Sequence, residues 1–264
     1  MAQKRKKKRR LSFDVGFCCL AVLGLLVFSV WKDAGAAPIG ADTIETIEAF
    51  AQTHDYRLDD YPESLVALMD RNPETEDFVK QYPLKKSVKP YIDLSGLAGC
   101  REVPLLLQWD ERWGYTRYGS DFMAITGCGP TALSMVAIYL TGDTSLDPRT
   151  VADFAQEHHY SVFGSGSSWT LISEGGPALG LNVQEVPLEK TVIFRYLEKG
   201  TPIIAIMGPG DFTDGGHFLV LTGVEDGKLT INDPNSTKRS EQLWVFEDIQ
   251  SQFLNLWACS AGAN

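Results

Sequence analysis

The sequence predicts an α+β fold, with helices in the first part of the chain and antiparallel strands in the second. Apolar residues recur at steps of three and four from Ala41 onward and again from Pro130 to Thr141. After residue 200, short apolar runs alternate with turn residues, and Asp226-Gly227 marks a hairpin. We therefore expect one main domain preceded by a small helical region.

The chain begins with a basic cluster and an apolar segment. KRKKKRR at 4–10 precedes 17 apolar residues at 15–31, a pattern typical of membrane targeting with the basic end in the cytoplasm. Seventeen residues reach the lower limit for a membrane anchor, and Ala34-Gly35-Ala36 would suit signal-peptide cleavage. Residues 1–33 are thus predicted to be a cytoplasmic tail plus a signal-anchor or signal peptide. The body would lie outside the cell membrane, or be secreted if residues 1–36 are cleaved.

The rest of the chain is acidic. Residues 1–33 hold eight of the 24 Lys and Arg and two of the 34 Asp and Glu, which leaves 16 basic and 32 acidic residues beyond them. So acidic a body repels phosphate backbones, and nucleic acid is excluded as a partner.

Residues 34–100 are predicted to form a spacer and a small helical region. Pro62 and Pro73 each fit the first turn of a short helix, and Pro83 is expected to end the second. We expect no catalytic chemistry between residues 41 and 83. The region would pack on the main body or separate it from the membrane.

The main domain is predicted to span residues 101–264. An extended VPLLLQ opens it, and a helix from about Pro130 to Thr141 stops at Gly142. Further helical patterns lie near 149–158, 169–179 and 188–199, and strands are predicted at 202–207, 217–224, 228–233 and 243–246.

Cys128 lies in GCGPTALSM, where Pro130 places it at the start of a helix. Unpaired amides and the helix dipole stabilise a thiolate there. Gly127 and Gly129 leave the backbone bare for a substrate chain. An ordinary buried cysteine in a glycine turn is the alternative for this stretch alone.

A nucleophilic cysteine needs a base, and His217 follows Gly216 at the start of a predicted strand. A three-residue hairpin loop, 225–227, would put Asp233 opposite Leu219, on the same face as His217. A two-residue loop would instead place Asp233 on the opposite face of the sheet from His217. Asn235 is the fallback orienting residue, and a histidine merely hydrogen-bonded within a sheet is the alternative.

GCGPTALSMV, GHFLVLTGV and INDPN, in that order, resemble the papain superfamily, in particular the bacteriocin-processing (double-glycine-leader) peptidases and their stand-alone relatives. The resemblance covers about residues 102–246. It implies a papain-like fold with Cys128 as nucleophile, His217 as base and Asp233 as orienting carboxylate.

The family also uses a glutamine to complete the oxyanion hole. In transporter-linked members it lies six residues before the cysteine, where this chain has Phe122. Gln108 is the upstream glutamine of this domain, and the resemblance assigns it that role. GSGSSWT at 164–170 also resembles a family segment. There Trp169 is predicted either to pack internally or to line the substrate cleft. Gly216, a flexible residue beside His217, is also predicted to bind substrate.

The predicted function is therefore hydrolysis of peptide bonds in a peptide or protein substrate, with no metal or other cofactor. Two alternatives stay open: acyl transfer to an amine, as in phytochelatin-synthase-like enzymes, and a binding module on a disabled papain-like fold. The three cysteines beyond the apolar segment are odd in number, so we hypothesise a Cys100–Cys259 disulfide with Cys128 free; all three reduced is the alternative.

Overall fold

Strands make up one main sheet and two short ladders in the computed structural model, which describes residues 38–262. The strands are Arg117–Tyr118 (β1), Asp121–Phe122 (β2), Ser161–Val162 (β3), Gly166–Ser167 (β4), Leu181–Glu185 (β5), Ile203–Met207 (β6), His217–Glu225 (β7), Lys228–Asn232 (β8) and Phe253–Ala261 (β9). β1 pairs with β2 and β3 with β4, while the main sheet has the antiparallel order β5-β9-β6-β7-β8.

Eleven α-helical segments are described within residues 38–262. They are Ala41–Gln52 (α1), Glu63–Arg71 (α2), Glu76–Lys80 (α3), Tyr82–Lys85 (α4), Met123–Thr126 (α5), Cys128–Thr141 (α6), Pro148–Glu157 (α7), Gly176–Ala178 (α8), Lys190–Leu197 (α9), Thr237–Ser240 (α10) and Phe246–Ile249 (α11). Pro83 lies in the first turn of α4, so the prediction that it ends a helix is wrong.

Both faces of the central strand β6 are buried, and its successive residues point to opposite sides of the sheet. On β6, Ile204 and Ile206 join the cluster formed with α6, whereas Ile203, Ala205 and Met207 join the cluster formed with α9 and α11. Ten of the 14 residues of α6 are buried, which explains its continuous apolar sequence. The helix ends at the left-handed Gly142 (φ 72°), as predicted.

The predicted strands at 202–207, 217–224 and 228–233 are confirmed, but the assignment at 243–246 is wrong. Trp244 forms only an isolated bridge with Leu229, and α11 begins at Phe246. The predicted helix at 169–179 is a π-turn, Leu171–Gly175, followed by α8. The sequence patterns did not reveal β5 or the interior strand β9.

The helical region before residue 100 packs on the main body. From Ile39 onward the chain forms one compact unit. Leu65 and Phe78 are buried in a cluster with Phe122, and the Phe78 ring stacks on Tyr115 with centroids 4.2 Å apart. Burial of several large side chains makes this contact a stable part of the fold.

The apolar segment predicted to target the membrane, residues 15–31, lies outside the described residues. Across residues 38–262, no helix combines the length and apolarity needed to cross a bilayer.

Candidate active site

A cleft of about 360 Å³ lies where α6 meets the main sheet. It brings together four of the residues singled out in the sequence: Gln108, Cys128, Gly216 and His217. Asn235, from the segment after β8, lines it too. Asp233 is fully buried behind this lining.

Cys128 is the first residue of α6 and is half-buried. Burial alone would raise the pKa of its thiol. Hydrogen bonding to His217, the charge of His217 and the amides of Phe218 and Gly129 outweigh burial, so the pKa of Cys128 lies below its ordinary value. The cysteine therefore favours the thiolate, the form that acts as a nucleophile.

His217 begins β7, and only 6% of its surface is exposed. Its Nε2 lies 2.7 Å from Asp233 Oδ1, which leaves Nδ1 for Cys128. Burial disfavours the imidazolium, but the charge and hydrogen bond of Asp233, and then Cys128, raise the pKa of His217. These shifts favour a thiolate–imidazolium pair.

Asp233 reaches His217 through a β-bulge. The hairpin turn has two residues, Asp226 and Gly227, both with positive φ, so the three-residue loop predicted from the sequence is wrong. A register shift between Leu221 and Gly223 inserts one residue and restores the predicted parity, with Val220 opposite Asn232. Asp233 follows Asn232 and lies on the side of the sheet that His217 faces.

Three further groups hold the Asp233 carboxylate and its backbone. The amide of Asn235 donates to Oδ1 at 2.7 Å, and Nε of Arg239 donates to Oδ2 at 2.5 Å. The Asp233 amide donates to the Ser240 hydroxyl at 2.9 Å. Burial raises the pKa of Asp233, but His217, Arg239 and the Asn235 amide together lower it. Asp233, rather than the fallback Asn235, is the residue bonded to His217.

Gln108 is 3% exposed, and both its backbone and its side chain are held by hydrogen bonds. Its backbone N donates to Pro234 O at 2.7 Å, and its side-chain Nε2 donates to Ala124 O at 2.7 Å. Its Oε1 is buried without a partner. Phe122, at the position where transporter-linked relatives have the glutamine, is instead buried beneath the N-terminal helices.

Gly127 and Gly129 are explained by internal packing. A Cβ on Gly127 would lie 2.5 Å from Met123 O, and one on Gly129 would lie 2.5 Å from Ser167 Oγ. Neither glycine is among the residues that line the cleft, and their predicted role in leaving room for substrate stays a prediction. Trp169 does not line it either: its ring packs edge-on against Trp257.

We expect Gly129→Ala to lower the free energy of unfolding by about 1–2 kcal/mol. The new methyl group must displace Ser167, whose hydroxyl is 2.7 Å from Tyr118 Oη, and overpacking outweighs the better helix propensity of alanine. Urea unfolding measures the change. Gly96→Ala is the control, because a Cβ there meets nothing within 4 Å; equal stability of the two variants would contradict this account.

Two groups of cleft residues were not predicted from the sequence. Leu68, Arg71, Asn72 and Glu74 come from the helical region for which no catalytic chemistry was expected. Arg239, on the four-residue helix α10, contacts Asp233 directly. Sequence patterns can place residues on helices, but they do not show which residues border the cleft, because that depends on how the helical region and α10 pack against the main domain.

The proposed Cys100–Cys259 disulfide is wrong. Cys100, Cys128 and Cys259 are all free thiols. Cys259 is fully buried on β9 opposite Val183, and burial raises its pKa to about 12, whereas Cys100 lies half-buried in a loop. Within residues 38–262, no three His, Cys, Asp or Glu side chains are grouped so that they could hold a metal ion.

Two solved structures are similar to part of this chain. The peptidase domain of Streptococcus ComA, a bi-functional ABC transporter involved in a quorum sensing pathway, has 19% identity and a TM-score of 0.45; the match covers 61% of this chain and 99% of that domain. A C39-like peptidase from Bacillus anthracis has 15% identity and a TM-score of 0.39, covering 65% and 98%. A search of curated proteins finds no match.

The family model described as the Peptidase_C39-like family matches residues 100–263, well over half of the chain. This match confirms the resemblance and, with the mixed helical and antiparallel structure, the predicted papain-like α+β fold. The chain belongs to the Peptidase_C39-like family.

Proposed function

We propose that this protein is a cysteine peptidase that uses Cys128, His217 and Asp233 to hydrolyse peptide bonds. The observation that carries the proposal is the buried His217–Asp233 pair, 2.7 Å between Nε2 and Oδ1, with the lowered-pKa thiol of Cys128 beside it. The pair orients the imidazole and keeps it protonated, which is what a leaving amine requires.

The proposed reaction has two halves. The Cys128 thiolate attacks the peptide carbonyl carbon, and His217 gives its Nδ1 proton to the amine as the C–N bond breaks, leaving a thioester. His217 then takes a proton from water, the resulting hydroxide attacks the thioester, and the carboxylate product leaves as the thiolate is restored. Asp233 stays ionised throughout and holds the imidazole through Nε2.

Gln108 is proposed to stabilise the oxyanion together with the Cys128 amide. Its Nε2 carries two hydrogens, and Ala124 O accepts one of them, so the second is free for the substrate oxygen. The two contacts to the Gln108 residue fix its position before substrate binds. Such a preorganised donor contributes about 3 kcal/mol to the stability of the transition state.

We also propose that the peptidase acts outside the cytoplasmic membrane. Its support is the sequence alone: a basic cluster at 4–10 followed by the apolar segment at 15–31. Cell fractionation followed by protease treatment of intact cells tests it. Protection of the body from added protease would contradict an external location.

Cysteine-directed labelling tests the proposed nucleophile. At pH 5.5 an ordinary thiol is about 0.1% thiolate, so we expect iodoacetamide to label Cys128 at least about 10-fold faster than it labels N-acetylcysteine. Peptide mapping by mass spectrometry separates Cys128 from Cys100 and Cys259. A Cys128 rate no higher than that of the free thiol would rule out the proposal.

Substrate profiling then separates hydrolysis from acyl transfer and from binding alone. Cleavage of a peptide library by the wild type, absent in Cys128→Ala, supports a peptidase. Labelling without cleavage, together with transfer of an acyl group to an added amine, would favour a transferase instead.

A further inference from the structure

Residues 72–74 lie outside the part of the chain that matches the family, yet they contact the residues that follow Asp233 in the sequence. Asn72 follows α2, and its side chain accepts from the Glu74 amide at 3.2 Å, shaping a tight turn. Its Nδ2 donates to Asn235 O at 2.6 Å. The turn is therefore fixed against the residues that follow Asp233.

Glu74 caps α10 with both carboxylate oxygens. Oε1 accepts a hydrogen bond from the Ser236 hydroxyl, and Oε2 accepts from the amides of Thr237 at 2.9 Å and Lys238 at 3.2 Å. A helix of four residues can make almost none of its own hydrogen bonds, so its first amides need an external acceptor. A carboxylate at a helix start also interacts favourably with the helix dipole.

α10 in turn presents Arg239 to Asp233. Nε of Arg239 donates to Asp233 Oδ2 at 2.5 Å, and the Arg239 amide donates to the Ser236 hydroxyl at 3.1 Å. The charged groups facing the Asp233 carboxylate are His217, from β7, and Arg239, from α10. One carboxylate oxygen therefore serves His217 while the other is held by Arg239.

We propose that Glu74 is a positioning residue for the catalytic carboxylate, acting through α10 and Arg239, so that the catalytic machinery begins in the N-terminal helical region. The inference rests on the proposed function, because it gives Asp233 its orienting role. It extends that function to a side chain with no contact to Cys128 or His217.

Loss of the cap would loosen Arg239 in particular. Its side chain is 25% exposed and lines the cleft, so it can turn toward water once α10 frays. A long side chain such as that of Arg239 loses conformational entropy when it is held in one position. By capping α10, Glu74 keeps the backbone of Arg239 in place and so reduces the cost of ordering its side chain. With Oδ2 unpaired, the carboxylate is less stable as an anion, and the thiolate–imidazolium pair that depends on it weakens.

The test is the pH profile of Cys128 alkylation in the full-length protein. We expect Glu74→Ala to raise the midpoint of the alkylation rate by about one pH unit, with Arg239→Ala shifting it in the same direction. The double variant should shift no further than Arg239→Ala, because Glu74 acts through Arg239. Glu74→Asp keeps a carboxylate, so its midpoint should lie between those of the wild type and Glu74→Ala.

Glu76→Gln is the matched control. Glu76 lies two residues away and pairs with Lys80 on the surface, so its loss should leave the alkylation profile unchanged. Circular dichroism checks that each variant is folded. If Glu74→Ala unfolds below the assay temperature, the alkylation profile is measured on Glu74→Gln, which keeps the size of the side chain.

Two failures are distinguishable. A folded Glu74 variant with the wild-type profile would overturn this inference alone. A wild-type Cys128 that reacts like a free thiol would overturn the proposed function, and the role of Glu74 with it.

Discussion

Replacing His217 with alanine is expected to lower kcat/KM for peptide cleavage by about 10⁴-fold or more. The variant loses the acid that protonates the leaving amine and the base that activates water. It also loses the hydrogen bond and the charge of His217, which lower the pKa of Cys128 most; the Phe218 and Gly129 amides alone then oppose burial, and we expect the thiol to become the dominant form at neutral pH. Initial rates with a cleaved library peptide, and alkylation rates on the same sample, measure both effects.

The double variant Cys128→Ala/His217→Ala sharpens this test. Residues that act as one unit are strongly non-additive, so the double variant should be no slower than Cys128→Ala alone. His54→Ala is the control, since His54 is exposed at the end of α1 and outside the cleft. Full alkylation at acidic pH in His217→Ala would mean that another group ionises Cys128.

Local signals predicted the elements that carry Cys128 and His217. A proline in the first helical turn and a glycine at the end define α6, and an apolar run that ends at the Asp226-Gly227 turn defines β7. Asp233 was predicted opposite Leu219 from a three-residue loop, whereas the chain uses a two-residue turn and a bulge. The shorter turn moves the pairing by one residue, and the bulge moves it back by one. Asp233 therefore lies on the predicted face of the sheet, although the predicted turn is wrong.

Other features depend on long-range packing that no local pattern encodes. β9 is an interior strand between β5 and β6, yet its sequence FLNLWACSA mixes polar and apolar residues without a clean period. The Arg239–Asp233 contact spans six residues through a short helix, and the Glu74 contact to Thr237 spans 163. Such contacts depend on where whole segments dock, so they become visible only in the folded chain.

Replacing Asp233 with alanine should lower both activity and stability. His217 would lose its orienting acceptor and Arg239 its partner in a fully buried position. Breaking a buried ion pair costs about 3–5 kcal/mol. We expect about 3 kcal/mol, because Arg239 reaches the cleft and can regain water. Urea unfolding measures the loss, and kcat/KM should fall by about 10²-fold or more because the imidazole is no longer held in one tautomer.

The loss of stability should depend on pH. Asp233 has a folded-state pKa below its unfolded value of about 3.9, so its contribution is present above that pH and is lost as the pH falls through the folded value. His217 has a raised pKa, so its contribution is complete below its unfolded value of about 6.5 and is lost as the pH rises through the folded value. The difference between wild type and Asp233→Ala should thus be largest between about pH 4 and pH 6.5.

Asp211→Ala is the matched control, because Asp211 is an exposed carboxylate in the same cleft that accepts from Gln252 Nε2 at 2.6 Å. Its loss should cost at most about 1 kcal/mol, with no maximum between pH 4 and pH 6.5. A difference for Asp233→Ala that stays constant from below pH 4 to well above pH 6.5, with no maximum between them, would mean that the buried pair does not hold its charge. His217 would then act as a neutral imidazole, and the thiolate at Cys128 would need another counter-charge.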